Sequence, residues 1–427
     1  MGSRVMQESA GQHSGQSAQR SALILTLMAA FLGWLFDGFE QALFPVVARP
    51  ALLSLLGPGK EGGVGNWMGL ITAAFLVGAA LGGTAFGWLG DRIGRVRAMA
   101  LSILCYSFFS GMGFFATAAW HLGVFRFLSA LGMGGEWALG VALVMEVWPE
   151  RFRPWLAGAI GAAANCGFVL IGLLAAHVPV TQTSWRWMFL VGAAPAVLTF
   201  VIRLFVPESA RWQQARNAVA EPDRISPVRE VLHSGLARRT LIGLVLTSVV
   251  LIGTWGSLQW VPLWADQLTG GRMPQAKANA QLFAGMGAIL GSVLAPILLG
   301  HVRRRWGYFI LCVLSLITAG FLFRTQTAYG PVFLAAVFAT NSTTAAFYGC
   351  LPLYLPELFP TRVRATGQGI CYNMGRIFAA AGALMSGQLV AHYGGYAQMG
   401  AVVTLIYIVG MAAIWFAPET RGRGLPE

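Results

Sequence analysis

The sequence predicts an all-α integral membrane protein of about twelve transmembrane helices, arranged as two related six-helix halves. Three observations carry this. Of 427 residues, 56% are hydrophobic and 11% charged, and the mean hydropathy is +0.64. A soluble domain carries about 25% charged residues, so this chain has too few charges to cover a water-facing exterior. Apolar runs of roughly 20 residues, the length that spans about 30 Å of hydrocarbon, recur from one end to the other. Finally, motifs of the first half return in the second at a fixed offset.

Residues 1–20 are rich in Ser, Gln and Gly without an apolar core, and read as a disordered cytoplasmic tail rather than a signal peptide. An N-terminal bundle, 21–206, holds apolar runs near 21–47, 65–90, 97–118, 120–147, 154–177 and 186–206. The polar stretch 207–237, with Glu-Pro-Asp-Arg and Ser-Pro, reads as a cytoplasmic linker containing one amphipathic helix. A C-terminal bundle, 238–417, holds runs near 239–265, 278–300, 306–324, 330–356, 365–392 and 395–417, and 418–427 is a second cytoplasmic tail.

The formal charge is +13, and Lys60 and Lys277 are the only lysines among 29 basic residues. With a cytoplasmic N-terminus, 21 of the positives fall in inside connections, six outside, and two, Arg126 and Arg376, within spans. That asymmetry places both termini in the cytoplasm and the chain across the inner (plasma) membrane. The positives form no basic face with interleaved aromatics, so membrane lipid is an expected partner and nucleic acid is not. The five cysteines show no CxxC spacing, which implies neither a disulfide framework nor a metal site. No nucleophile–base or ligand spacing suggests an enzyme or a cofactor.

The duplication is specific. Glu146-Val-Trp-Pro149-Glu-Arg151-Phe-Arg153 returns as Glu357-Leu-Phe-Pro360-Thr-Arg362-Val-Arg364, an offset of 211. The same offset relates Gly158 to Gly369 and Pro207-Glu208-Ser209 to Pro418-Glu419-Thr420. Duplicated six-helix halves with a site at their interface are a secondary-transporter architecture. After the second span comes Gly87-Trp-Leu-Gly90-Asp91-Arg92-Ile-Gly94-Arg95. Its glycines permit a tight turn, and Asp91 can cap free helix N–H groups. The cluster is either an ordinary positive-inside turn or a latch whose pairs break during transport.

This loop resembles the signature of the major facilitator superfamily, and the resemblance extends over nearly the whole chain. The Glu146–Arg153 and Pro207-Glu208-Ser209 segments, with their copies, resemble sugar-porter and organic-ion members, which implies a charge network at the cytoplasmic gate. Arg126-Phe-Leu-Ser-Ala-Leu-Gly132-Met-Gly134-Gly135-Glu136 resembles sialate, lactate and metabolite proton symporters. One departure is the C-half loop Gly300-His-Val-Arg303-Arg304-Arg305-Trp-Gly307, read with Arg304 at the place of Asp91.

Ionisable residues inside spans are few, and each costs about 2.5–3.5 kcal/mol at mid-bilayer. Asp37 and Glu40 share a helical face and so should line a cavity. Asp37-Gly-Phe-Glu40 is similar to the paired acids of aromatic-acid and sialate proton symporters, and Glu40 matches the sugar porters' proton-coupling acid, whose partner there is an Arg matching Arg126. The alternative is a structural ion pair between the first and fourth spans. Glu136, ten residues beyond Arg126, is a further candidate proton site. Arg376, matched by the offset to Asn165, offers a permanently charged fork suited to a carboxylate. The resemblance implies that it holds a substrate anion, and the alternative is a pair with Asp37, Glu40 or Glu136. Around it, Gln259, Asn341, Tyr348, Tyr372 and Asn373 are candidate hydrogen-bonding groups and Trp255 a wall. The expected function is proton-coupled symport of a small organic anion, a monocarboxylate, sialate or aromatic acid, by a monomer. The coupling ion expected is the proton, and no cofactor is expected. The rivals are a sugar or polyol porter and a proton-driven multidrug exporter.

Overall fold

The computed structural model describes residues 2–178, 180–218, 226–270, 272–273 and 275–427. Helix α1 runs Gly2–Leu56, α2 Val64–Ile93, α3 Arg95–Met112, α4 Ala119–Val147 and α5 Arg153–His177. The sixth span is broken at Pro195 into α6 (Trp187–Ala193) and α7 (Ala196–Phe205). Two short helices, α8 (Ala210–Asn217) and α9 (Pro227–Leu232), lie in the linker. The second half comprises α10 (Ala237–Trp255), α11 (Val261–Leu268), α12 (Gln275–Leu299), α13 (Arg304–Thr325), α14 (Pro331–Tyr354), α15 (Arg364–Tyr393), α16 (Tyr396–Val403) and α17 (Ile406–Ala413).

Among the described residues, nine helical stretches are long and apolar enough to cross a membrane. The three other expected spans fall on α6–α7, α14 and α15. Breakage at Pro195 shortens the first. Helix α14 carries the polar run Thr340-Asn-Ser-Thr-Thr344, whose hydroxyls fold back onto carbonyls of their own helix: Thr340 to Ala336, Ser342 to Phe338 and Thr344 to Thr340, at 2.8–2.9 Å. Polar side chains satisfied this way are compatible with a buried helix. Helix α15 carries Gln368, Asn373 and Arg376, all buried.

Two expectations change. The segment read as a disordered tail is helical from Gly2, continuous with α1. Extending an existing helix adds one hydrogen bond per residue without a nucleation cost, which weak local propensity does not forbid. The linker forms two helices instead of one, and its Glu-Pro-Asp-Arg segment lies outside the described residues.

The bundles meet along two pseudo-symmetric seams, α2 against α15 and α5 against α12. Both are close backbone approaches. A Cβ on Gly369 would lie 2.1 Å from the Gly83 carbonyl oxygen, so only glycine fits there. The largest apolar cluster draws residues from both bundles, including Trp34, Trp137 and Leu156 of the first with Leu246, Phe347 and Tyr372 of the second.

Candidate functional site

At the arginine-rich face the two bundles are tied by a buried charge network. Gly94, at φ +109°, turns the chain between α2 and α3, and the turn places Arg95 beneath the end of α2. Arg95 Nη1 donates to Asp91 Oδ1 at 2.6 Å and the Gly90 carbonyl at 2.8 Å, while Nη2 donates to Glu146 Oε1 at 3.1 Å and the Thr361 carbonyl at 2.6 Å. Arg364 Nη1 donates to the same Glu146 oxygen at 2.8 Å. Asp91 accepts the Ala365 N–H at 3.2 Å and the Thr366 N–H at 2.8 Å, so a carboxylate of one bundle caps the first turn of α15 in the other. Ser209 Oγ closes the set on Glu146 at 2.5 Å.

The second bundle repeats this arrangement with a register that corrects the sequence alignment. Arg304 grips Glu357 through Nε at 3.0 Å and Nη2 at 2.8 Å, and Thr420 donates to Glu357 as Ser209 does to Glu146. Glu419 accepts the Arg304 N–H at 3.0 Å, just as Glu208 accepts that of Arg95 at 2.9 Å. Arg304 is therefore the counterpart of Arg95, and Gly300 stands where the first half has Asp91. The offset of 211 removes one of the two N–H groups that Asp91 caps, while Thr366 corresponds to Trp155, which keeps its N–H. Ala365 corresponds to Pro154, which has no N–H to cap, and Gly300 packs against its ring, a Cβ there meeting Pro154 at 3.1 Å.

The two capping glutamates, which lie outside the spans, differ in charge state preference. Burial pushes the Glu208 carboxyl up from its ordinary value, against the Ser209 and Arg95 N–H groups and the Arg95 charge. Burial also acts on Glu419, but bonds from the N–H groups of Arg304, Arg421 and Arg305 outweigh it and hold this carboxyl below the usual range.

Some expected gate residues take other positions. Arg92 is exposed and lies 5.2 Å over the Trp88 ring, and Arg151 is exposed over Phe152 at 4.7 Å. Arg153 bonds Glu150 at 3.0 Å, and Arg362 pairs with Glu230 at 2.7 Å. Gly87 admits the α15 backbone, a Cβ there lying 2.6 Å from the Ala365 carbonyl oxygen.

The second polar layer lies deeper. Tyr372 and Arg376 sit eight and twelve residues beyond Arg364 on α15, about 12 and 18 Å along the helix. Here Glu40 and Asp37 part company. Glu40 is sealed: Arg126 donates to its side chain and to its carbonyl at 3.1 Å, Ser110 donates at 2.8 Å and Ser129 at 2.9 Å. The Arg126 guanidinium also lies 4.2 Å over the Phe75 ring. This is the ion pair between the first and fourth spans, with no oxygen of Glu40 left over.

Asp37, by contrast, is fully buried and neither carboxylate oxygen has a hydrogen-bond partner. The charges acting on it are Glu136, Arg376 and Glu40. Glu136, seated against Gly33 of α1, is likewise buried with both oxygens unpartnered. Arg376, 2% exposed, has Nε and Nη1 unpartnered and lies 5.7 Å over the Tyr372 ring. Three charged groups from α1, α4 and α15 thus converge with open hydrogen-bonding capacity.

The remaining candidates are committed elsewhere. Asn373 donates across the seam to the Gly134 carbonyl at 2.9 Å and fills the space above Gly83. Asn341 and Asn165 bond carbonyls of their own helices, at 2.9 and 3.5 Å, and Gln259, in the turn between α10 and α11, donates to the Trp255 carbonyl. Tyr348 shares a hydrogen bond with Thr254 at 2.8 Å and lies near Arg376. Trp255 packs against Ala73, Leu76, Ala379 and Ala380.

Sequence reasoning missed an aromatic layer on the arginine-rich side of these charges. Trp137 of α4 stacks on Tyr372 of α15 at 3.9 Å, and Trp34 meets both edge-on at 6.4 and 6.1 Å. The available signal was position: Trp34 is one turn before Asp37, and Trp137 follows Glu136. Tyr106 was also missed. It is buried with its hydroxyl unpartnered, under the influence of Glu136, Asp37 and Glu40.

The family profile of the major facilitator superfamily matches residues 22–383. The chain belongs to that superfamily. It is accordingly a multi-pass membrane transporter with the major facilitator fold. Among its relatives, the "Probable 4-methylmuconolactone transporter" of Cupriavidus pinatubonensis is 30% identical, over 93% of this chain and 91% of its own. The cis,cis-muconate transport protein of Acinetobacter baylyi is 29% identical, over 83% and 86%. The proton:xylose symporter XylE superposes with a TM-score of 0.78 at 20% identity, covering 95% of this chain and 98% of that one, which is a likeness of fold.

Proposed function

We propose that this transporter carries a small organic anion, a monocarboxylate, sialate or aromatic acid, together with a proton by alternating access, and that the arginine-rich face with both termini is cytoplasmic. The observation that carries the reading is the buried Arg376 with unpartnered Nε and Nη1, acting on Asp37, an acid without a hydrogen-bond partner that Glu136 also influences. The planar fork of Arg376 suits a carboxylate. Relatives whose names specify muconate and methylmuconolactone support an organic acid as cargo.

Charge balance supplies the coupling. Asp37 and Glu136 bring two negative charges against the one positive charge of Arg376, so a neutral layer needs one proton on an acid. An incoming anion takes up the Arg376 charge that offsets the neighbouring acids, and an acid so deprived takes a proton in turn. Each anion at this site thereby brings one proton. Glu40, closed in its pair with Arg126, holds the first and fourth spans in register. The rearrangement is driven by differential affinity of the anion for the two access states.

The test follows proton entry into proteoliposomes with a trapped pH dye while lactate, N-acetylneuraminate, benzoate, xylose and an organic cation are added in turn. Internal acidification with a carboxylate, lost in Arg376→Ala and Asp37→Asn, is the expected result. Acidification driven by xylose, or proton exit driven by the cation, overturns the reading in favour of a sugar porter or an exporter.

A further inference from the structure

We infer that the indole N–H groups of Trp34 and Trp137 belong to the binding site and read a second acceptor atom on the substrate, one beyond its carboxylate. This rests on the anion site proposed above and narrows its substrate class. An indole N–H donates and cannot accept, and a buried donor left without a partner is rare in native structures because it forfeits the hydrogen bond it had with water. Both indoles are at least 96% buried, and neither Nε1 has an acceptor.

Their rings are fixed around one another and around Tyr372, over which Arg376 lies. Trp34 stands one turn from Asp37, and Trp137 adjoins Glu136. The unmatched indole donors therefore lie in the layer next to the unmatched guanidinium donors. A carboxylate on Arg376 occupies the fork of the guanidinium and leaves the indoles unsatisfied. An oxygen or ring nitrogen elsewhere on the same substrate satisfies them. Trp137 belongs to one bundle and Arg376 to the other, so a substrate with both features bridges the halves.

The experiment measures binding to purified full-length protein by calorimetry, using acid pairs that differ in one acceptor: benzoate against nicotinate, and propionate against pyruvate. Wild type is expected to favour the acceptor-bearing member of at least one pair about tenfold, the scale of one net hydrogen bond. Trp34→Phe and Trp137→Phe keep an aromatic face in the stack but remove the donor. In at least one of them the ratio should fall toward one, with the larger loss of affinity on the acceptor-bearing acid. A purely structural role for the indoles predicts an unchanged ratio in both variants, and that result overturns the inference while leaving the anion site intact. Equal affinity within both pairs in wild type overturns it as well. If wild type binds no carboxylate at all, the anion site falls and the inference with it.

Discussion

At the scale of single residues, two acids three positions apart on α1 have opposite consequences. Glu40 accepts from Arg126, Ser110 and Ser129, so Glu40→Gln leaves a buried guanidinium without its counter-ion. Breaking a buried pair from one side costs about 3–5 kcal/mol, and thermal melts in detergent should show a clear fall in Tm. Asp37 has no bonded partner, so Asp37→Asn removes a charge without orphaning one and should leave Tm unchanged or higher while abolishing the proton entry that the proposed coupling requires. Equal destabilisation by both would place Asp37 in a pair that the geometry does not contain. Arg376→Lys refines the same argument. It keeps the charge but loses the fork, and should raise the KM for a transported carboxylate at least tenfold with protein yield unaffected.

At the scale of elements, helix ends decide how the bundles grip each other. The N-terminus of α15 offers free N–H groups and is capped by Asp91, whereas that of α5 begins with Arg153-Pro154 and is met by Gly300. Asp91→Asn removes the ionic bond to Arg95 and weakens the cap, whose loss is worth about 1 kcal/mol. It should increase modification of a cysteine introduced near the arginine-rich end of α4. The capping glutamates give a second test. Glu208 is held above its ordinary value by burial and Glu419 below it by N–H bonds that outweigh burial. As pH falls, Glu208 therefore protonates first. The stabilisation from ionised Glu419, fully present above the ordinary glutamate range, disappears only as pH falls through its depressed value. Isotope-edited infrared spectra of single Glu→Gln variants should show carboxyl bands appearing in that order.

These elements also show how far the sequence could be read. The duplicated Glu146 and Glu357 motifs placed both networks at one face, because an internal repeat carries its own geometry. The counterpart of Asp91 was misassigned because the loop of the second half is two residues out of register with the repeat, and only the partners of Arg304 reveal this. Asp37 and Glu40 looked alike in sequence. The serines that separate them, Ser110 and Ser129, lie on other helices and gave no local signal. Likewise, an amide in a span is visible in sequence, but whether it faces a cavity or its own helix carbonyl, as with Asn341, depends on rotation about the helix axis.

For the molecule as a whole, the bonds that join the bundles run from the arginine-rich face up to Asn373, so this conformation is latched at that face. The segment after the last span adds to the latch. Leu425 is buried in the apolar cluster shared by both bundles, and the Pro426 carbonyl accepts from Arg364 Nη2 at 2.7 Å and from the Thr361 N–H and hydroxyl, each at 3.2 Å. Arg364 is the residue that holds Glu146 across the interface, and Thr361 presents its carbonyl to Arg95. Deleting residues 424–427 therefore loosens two cross-bundle contacts without touching a substrate-facing group. With about 2 kcal/mol lost from these hydrogen bonds, the equilibrium should move roughly thirtyfold toward the state open at that face. Spin labels on the arginine-rich ends of α4 and α14 would report the change as a longer distance in double electron–electron resonance. The apparent affinity for substrate presented from the opposite side should fall in parallel, because less of the protein then occupies the state that binds it. An unchanged distance distribution would mean that the segment rests on the latch without stabilising it.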